Sequence, residues 1–457
     1  MALRALLAET APESARLSGP HSSLTLTDLA RLSGLGAARE GLTGRAVLLR
    51  THSQIGAAQG LVELDGLAGR IVVCPPDLAD EHLAGVIETA GIDAIVPDAP
   101  DAALGALGLP IHVLTAPERA VSGPDGAKPT EWLLFTSGTT GAPKMVIHTL
   151  AGLTGAIAPR APGAAPIVWG TFYDIRRYGG LQILLRALTG GSSMVLSDAQ
   201  EPVEAHLMRL GCAGVTHLSG TPSHWRRALM TPKLHLIAPA YVRLSGEIAD
   251  QAVLDSLKAA FPAAAIGHAY ASTEAGVGFE VNDGLEGFPE DFVGRAGPVE
   301  MKVEDGSLRI RSPRAANGYA GPAPALADAD GFVDTGDMVE LSDGRWRFAG
   351  RRNGVINVGG LKVHPEEIEA VINRHPAVRM SLVRSRKSPI TGALVSADVA
   401  LADPTAAEAP DAANALRASI LAACRAALPA HKAPASVRFV SSLKVTAGGK
   451  LDRAHAG

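Results

Sequence analysis

Between residues 20 and 270 short apolar runs alternate with helix-like stretches, and this rhythm restricts the fold more than any other feature of the chain. The runs 45–50, 70–74 and 93–97 are too short for helices and are punctuated by Gly, Pro and Asp, while 78–90 reads as a helix between two of them. The same pattern continues through 166–169, 193–196, 215–218, 241–244 and 265–266. Strands separated by helices argue for a wound, largely parallel α/β sheet with both faces covered. From about residue 300 the runs 301–303, 307–311, 332–334 and 345–348 are short and turn-separated, which predicts a smaller antiparallel, barrel-like subdomain. Residues 350–353 carry two arginines and no apolar side chain, and mark a boundary. Beyond them lies a compact unit. It predicts a helix opening at Pro365, with Ile368, Val371 and Ile372 on one face. Strands at 380–383, 393–401 and 437–440 follow, with a helix at 411–428 whose stripe is Leu416, Ile420 and Ala423.

A chain of 457 residues is too long for one ordinary core. The expected division is an N-terminal domain of 1–350, a hinge at 351–353 and a C-terminal domain of 354–457. A net charge of -4 gives no bulk attraction for nucleic acid. No run approaches the length of a membrane helix, and Arg4 and Glu9 interrupt any signal-like apolar core, so the expected location is cytoplasmic. Cys74, Cys212 and Cys424 are far apart in apolar surroundings and are expected to be buried free thiols.

The segment from Phe135 to Lys144 packs Thr136, Ser137, Gly138, Thr139, Thr140 and Gly141 before a lysine, directly after the apolar run 132–134. A strand that opens into such a loop suits polyphosphate. Glycines allow close backbone approach, amides and hydroxyls donate to phosphate oxygens, and Lys144 adds a point charge. The order is not G-x-x-x-x-G-K-[ST], so this is not the common nucleotide loop.

T-S-G-T-T-G-x-P-K instead resembles the signature loop of the adenylate-forming superfamily, which includes acyl- and aryl-CoA ligases and the adenylation domains of peptide synthetases. Further segments match that family in order: Ser245-Gly246-Glu247, Tyr270-Ala271-Ser272-Thr273-Glu274, Thr335-Gly336-Asp337, the stretch 350–369 and Gly449-Lys450-Leu451-Asp452-Arg453. The resemblance implies a small mobile α+β C-terminal domain. It implies that Tyr270 stacks on adenine, that Gly246, beside Glu247, lets the ring lie against backbone, and that Thr273 donates to the α-phosphate of ATP. Glu274 would hold Mg²⁺, a hard cation that takes one or two carboxylates plus phosphate oxygens. Asp337 would accept both ribose hydroxyls, with Arg351 in support. Lys450 would be the catalytic lysine of adenylation. Asn353 stands at the hinge, where the family usually has Asp or Lys. Gly360 and Asn357 match the hairpin that lets a pantetheine arm pass in members using CoA.

Where many relatives carry a histidine in the acid-binding segment, this chain has Tyr173, Asp174, Arg176, Arg177 and Tyr178. An arginine facing the pocket would imply an acid with a second anionic or polar group. Both arginines covering a helix surface is the alternative. Ala271, where glycine is usual, would make the pocket shallow, and the segment 216–223 with Gly220 reads as its wall. Asp174 raises a rival reading, an acyl- or amino-acid-adenylating enzyme that loads a carrier-protein phosphopantetheine; a nucleotide-binding protein without ligase activity is a third. The resemblance favours an ATP-dependent acid–CoA ligase, acting on a small carboxylic acid as a monomer or homodimer.

Overall fold

A computed structural model describes residues 1–121, 129–136, 143–159, 163, 165–388, 392–446 and 448–453. The expected parallel strands form two sheets. The larger has eight strands, in the order 276–281, 265–272, 241–245, 217–220, 168–171, 193–195, 16–18 and 23–25. Its inner strands run parallel, and antiparallel strands close both edges. The second has six strands, in the order 318–319, 145–149, 131–135, 70–73, 46–50 and 94–97. Its parallel part ends at Glu131–Phe135, and Met145–Thr149 pairs with that strand in the antiparallel sense.

One apolar layer joins the two sheets. Helices Gln54–Leu64 and Tyr178–Thr189 lie in it, the first buried along its whole length. Such a helix has no solvated side, so it lacks the polar stripe of a surface helix. The opposite face of the eight-stranded sheet packs on helices Val203–Cys212, Pro222–Leu229 and Gln251–Ala260 through Leu218, Val242, Leu244 and Ile266.

The antiparallel subdomain is a five-stranded sheet, ordered 288–289, 345–351, 333–342, 307–311 and 300–304, with its own core around Phe288, Leu308 and Ile310. The C-terminal unit has a third core. Helices Pro365–Asn373 and Pro410–Ala427 cover the sheet Val378–Ser388, Gly392–Leu401 and Ser436–Val440. A separate hairpin, Ile356–Val358 with Leu361–Val363, precedes it.

Two expectations need correction. The buried stripe of the last long helix is Ala413, Ile420 and Cys424, with Leu416 only partly covered. Cys212 is exposed, because it ends a helix whose inward positions are His206, Leu207 and Leu210. Cys74 and Cys424 are buried as expected, and burial pushes both thiols up to about 11.

Candidate active site

In wound sheets the carboxyl ends of parallel strands make the binding crevice. Here three neighbouring strands, His217–Gly220, Tyr241–Ser245 and Ala265–Ser272, end side by side and run directly into Thr221, Gly246 and Thr273. Gly246 has φ +88°, a left-handed conformation that disfavours any side chain.

Tyr270 and Asp337 come from different sheets and meet. The Tyr270 hydroxyl donates to Asp337 Oδ2 at 2.6 Å, and Arg351 Nε lies 2.7 Å from Asp337 Oδ1. Asp337 and Arg351 are cross-strand partners in the antiparallel subdomain, so the sheet register sets their pairing. The Tyr270 ring lies nearly parallel to Phe348 and Phe279, with centroids 5.5 and 5.7 Å away. Burial, then the Asp337 charge, holds its phenol well above the usual range. Thr273 and Glu274 occupy the turn after Tyr270. The Glu274 carboxylate takes no hydrogen bond or ion pair from another described residue, which leaves a hard oxygen donor free for a cation.

Lys450 reaches this site from the C-terminal unit. An ideal Cβ placed on Gly246 would stand 3.6 Å from Lys450 Cε. Two clamps hold the lysine's loop. The Thr221 hydroxyl donates to the Gly449 carbonyl, and Leu451 N–H donates to Glu247 Oε1 at 2.8 Å. The other oxygen of Glu247 accepts from Ser223 N–H at 2.9 Å, near the start of a helix, where a carboxylate is favoured. Gly449 is required by contact: a Cβ there would fall inside the His224 ring. Arg453, three residues on, donates to both oxygens of Glu369 at 2.9 and 2.7 Å and so fixes the loop to its own domain. Further contacts close the same seam: Asn373 Nδ2 to Asp250 Oδ2 at 3.1 Å, and Arg374 Nη2 to Glu286 Oε1 at 2.9 Å. Burial, then Arg351, lowers the Lys450 pKa, while Glu247, Asp337 and Glu274 oppose that shift. The charges of these three carboxylates thus favour the ammonium against its burial.

Other expected residues stand apart. Thr136 N–H donates to the Lys144 carbonyl at 3.0 Å and closes the base of the signature loop; Lys144 is exposed. Ser137, Gly138, Thr139, Thr140 and Gly141 lie outside the described residues. Asn357 Oδ1 accepts from Gly360 N–H at 2.8 Å, so the asparagine caps its own hairpin turn. Gly360 has φ +88° and open space where a Cβ would be. Asn353 is exposed in the short helical turn Arg352–Gly354.

The acid-binding expectations change most. Asp174 and Arg176 are both buried and consume each other: Arg176 Nε–Oδ1 is 2.8 Å and Nη2–Oδ2 is 2.6 Å, with Nη1 donating to the Thr51 carbonyl at 2.5 Å. Buried and neutralised by each other, they give a substrate no free charge, so both leave the list of pocket residues, and the amino-acid reading loses its ammonium ligand. Arg177 pairs with Asp77 and borders Gly448 beside the lysine loop. Tyr173 donates its hydroxyl to the Ser245 carbonyl at 2.7 Å, bracing the strand end. Gly220 lies against Phe172, where a Cβ would approach Cδ2 to 2.8 Å, so it is a packing glycine. Tyr178 is buried, and Ala271 is partly buried against the inter-sheet core.

Three contributors escape a reading of the chain by spacing. Thr221 and His224 form a capping box at the helix Pro222–Leu229, a signal visible in the sequence, but their contact with Gly449 spans more than two hundred positions. His224 stacks on Phe172 at 5.6 Å, and burial holds its pKa down to about 3. His148 Nε2–H donates to the Thr273 carbonyl at 2.7 Å, which fixes the neutral tautomer; burial lowers its pKa to about 4.

Comparison with known proteins agrees with this geometry. The AMP-binding enzyme profile matches residues 66–320 and the AMP-binding enzyme C-terminal domain matches 367–450. A 2-succinylbenzoate–CoA ligase of Salmonella typhimurium is 29% identical over 371 residues, spanning 77% of this chain and 75% of its own. A feruloyl-CoA synthase of Amycolatopsis is 27% identical, spanning 70% of this chain and 67% of its own. Among solved structures, the anthranilate CoA ligase AuaEII in complex with anthranoyl-AMP superimposes with a TM-score of 0.79 over 99% of this chain and 96% of its own, at 19% identity. With both parts of the family matched, over more than half its length, this chain belongs to the AMP-binding enzymes of the adenylate-forming superfamily.

Proposed function

We propose that the protein activates a carboxylic acid with ATP and passes the acyl group to the thiol of CoA. In the first half-reaction a carboxylate oxygen attacks the α-phosphorus, the bond to the bridging oxygen breaks, and pyrophosphate leaves. In the second, a thiolate attacks the acyl carbon of the mixed anhydride and AMP leaves. The observation that carries this reading is Lys450, seated beside Gly246 across the domain seam, where the charges of Asp337 and Glu274 favour its ammonium. An ammonium held there stabilises charge where acid meets α-phosphate and keeps the reactants together.

The other roles follow from position. Asp337 and Arg351 hold the ribose, with the Tyr270 hydroxyl exchanging its bond to Asp337 as the nucleotide enters. The Tyr270 ring faces adenine beside the flat backbone at Gly246. Thr273 donates to the α-phosphate, and Thr136 and Lys144 frame the pyrophosphate end with the intervening loop. Glu274 would hold Mg²⁺, which neutralises the leaving pyrophosphate. Glu247 acts on the lysine loop and not on the nucleotide, since both its oxygens already accept backbone amides. Asn353 is the hinge between 1–350 and 354–457. Rotation there exchanges the Lys450 loop for the Asn357–Gly360 hairpin, which offers room for a pantetheine arm.

Relatives named as CoA ligases and a CoA-ligase neighbour holding an acyl-adenylate support this reading. ATP–pyrophosphate exchange across fatty, aryl, dicarboxylic and amino acids tests it: exchange with one class is expected, and none with any acid would reject it. Running the second step with CoA against a phosphopantetheinylated carrier protein identifies the acceptor.

A further inference from the structure

Beneath the strand ends the eight-stranded sheet holds a buried charge that its surroundings balance only in part. Arg243 is 4% exposed on the central strand Tyr241–Ser245, and its Nε and Nη2 have no hydrogen-bond partner among the described residues. Its neighbour in register on the adjoining strand is Ser219, whose hydroxyl is fully buried. Val242 and Leu244 point into the opposite core, so Arg243 faces the helix Tyr178–Thr189. That helix presents Tyr178, 6% exposed, and a second guanidinium, Arg186, whose hydrogen bonds among the described residues go to Gln182 at 3.3 Å. Arg314 adds a third guanidinium beside Tyr178. Among the described residues the one carboxylate in ion-pair range of Arg243 is Glu280, at 3.6 Å, and it also takes the hydroxyl of Tyr241.

Buried guanidinium groups without hydrogen bonds are costly, and so are buried hydroxyls. Here two unpaired nitrogens of Arg243 and the buried hydroxyls of Ser219 and Tyr178 converge on the layer between helix and sheet. Burial, then the charge of Arg243, lowers the Arg186 pKa to about 10, as expected for like charges short of anions. A bound carboxylate would answer all of these needs, because it offers planar, bidentate acceptance to a guanidinium and further lone pairs to hydroxyls. Position gives the length. Gly246, where Lys450 arrives, is three residues beyond Arg243, just past the end of the same strand, about 10 Å at 3.3 Å per residue.

We propose that the acid activated here carries a second carboxylate, and that Arg243, Ser219 and Tyr178 form the subsite that receives it. This rests on the acid-activating reading above. The substrate is then a compact dicarboxylate, aliphatic or aryl, whose near carboxylate meets ATP at Lys450 while its far one neutralises Arg243. The anionic preference first sought in Arg176 belongs to Arg243.

Pyrophosphate exchange with matched acids tests this on the unaltered enzyme: adipate against hexanoate, and isophthalate against benzoate. At least a 100-fold higher kcat/KM for one of the diacids is expected. Arg243→Gln should raise KM for that diacid by 100-fold or more and narrow its advantage over the monoacid, while Arg243→Lys restores part of it. Ser219→Ala, a smaller change in the same subsite, should raise the same KM about 10-fold. Preference for the monoacids, or an unaltered diacid ratio in folded Arg243→Gln, overturns the proposal and leaves acid activation standing. Absence of exchange with every acid overturns both.

Discussion

The Lys450 loop and the Asn357–Gly360 hairpin belong to the same small C-terminal unit, yet their surroundings are opposite. Gly449 and Lys450 are pressed between His224, Thr221 and Gly246 of the large domain, and each side of the loop is hydrogen-bonded. Gly360 meets nothing where a side chain would stand, and its N–H donates to Asn357 Oδ1 within the same hairpin. One rigid core, built on Val363, Ile368, Val399 and Ile420, supports both. A rigid body with two functional edges can dock one at a time. Under the function proposed above, the arrangement described here is the one that forms the acyl-adenylate, and the second half-reaction would follow a turn of the unit.

That contrast can be broken edge by edge. The largest effect is expected for Lys450→Ala: pyrophosphate exchange should fall about 10²–10³-fold, the usual result of deleting a preorganised charge at a reacting centre. Thioester formation from supplied acyl-AMP should survive, and equal loss of both halves would remove the lysine's special role. Glu247→Ala strips a carboxylate from two backbone amides, at about 1.5–3 kcal/mol for bonds to a charged group. Exchange should slow by roughly 10- to 100-fold with KM for ATP little altered; a defect confined to ATP binding would instead make Glu247 a nucleotide ligand. Gly360→Val addresses the opposite edge. Its φ of +88° adds strain, and the branched side chain fills the open space, so transfer to CoA should drop about 10-fold while exchange is unchanged. Loss of exchange in this variant would show that the hairpin already takes part in adenylation.

The smallest effect is a displaced pH profile. The docked Lys450 has its pKa lowered from 10.5, chiefly by burial. With the ammonium in the role proposed for it, exchange should decline as pH rises through a value below 10.5, whereas transfer from supplied acyl-AMP should lack that limb. The sign follows from desolvation, which disfavours the charged form of a lysine. An alkaline limb common to both halves would assign it to another group.

How far the chain could be read differs between local and distant features. Strand–helix alternation gave the wound sheets, and the short turn-separated runs gave the antiparallel subdomain, because each depends on periodicities within ten or so residues. Tyr270, Glu274, Asp337, Arg351 and Lys450 were recognisable by motif, and all lie at or beside one crevice. The acid-binding segment misled for a physical reason. Asp174 and Arg176 look like free polar groups in a pocket wall, but a carboxylate two residues from a guanidinium can fold back and neutralise it. Arg243 gave no signal, since an arginine within an apolar strand run reads as an interruption of that run.

Order along the chain was thus enough to name the chemistry: which strands open into loops, which loop suits phosphates, which lysine follows a pair of glycines. Partnership was settled only in three dimensions. Glu247 with the Leu451 amide, Thr221 with Gly449 and Arg243 with Glu280 are pairings between segments brought together by sheet register and domain docking. Whether a buried charge is satisfied or left waiting for a ligand depends on those neighbours, and spacing along a strand carries no record of them.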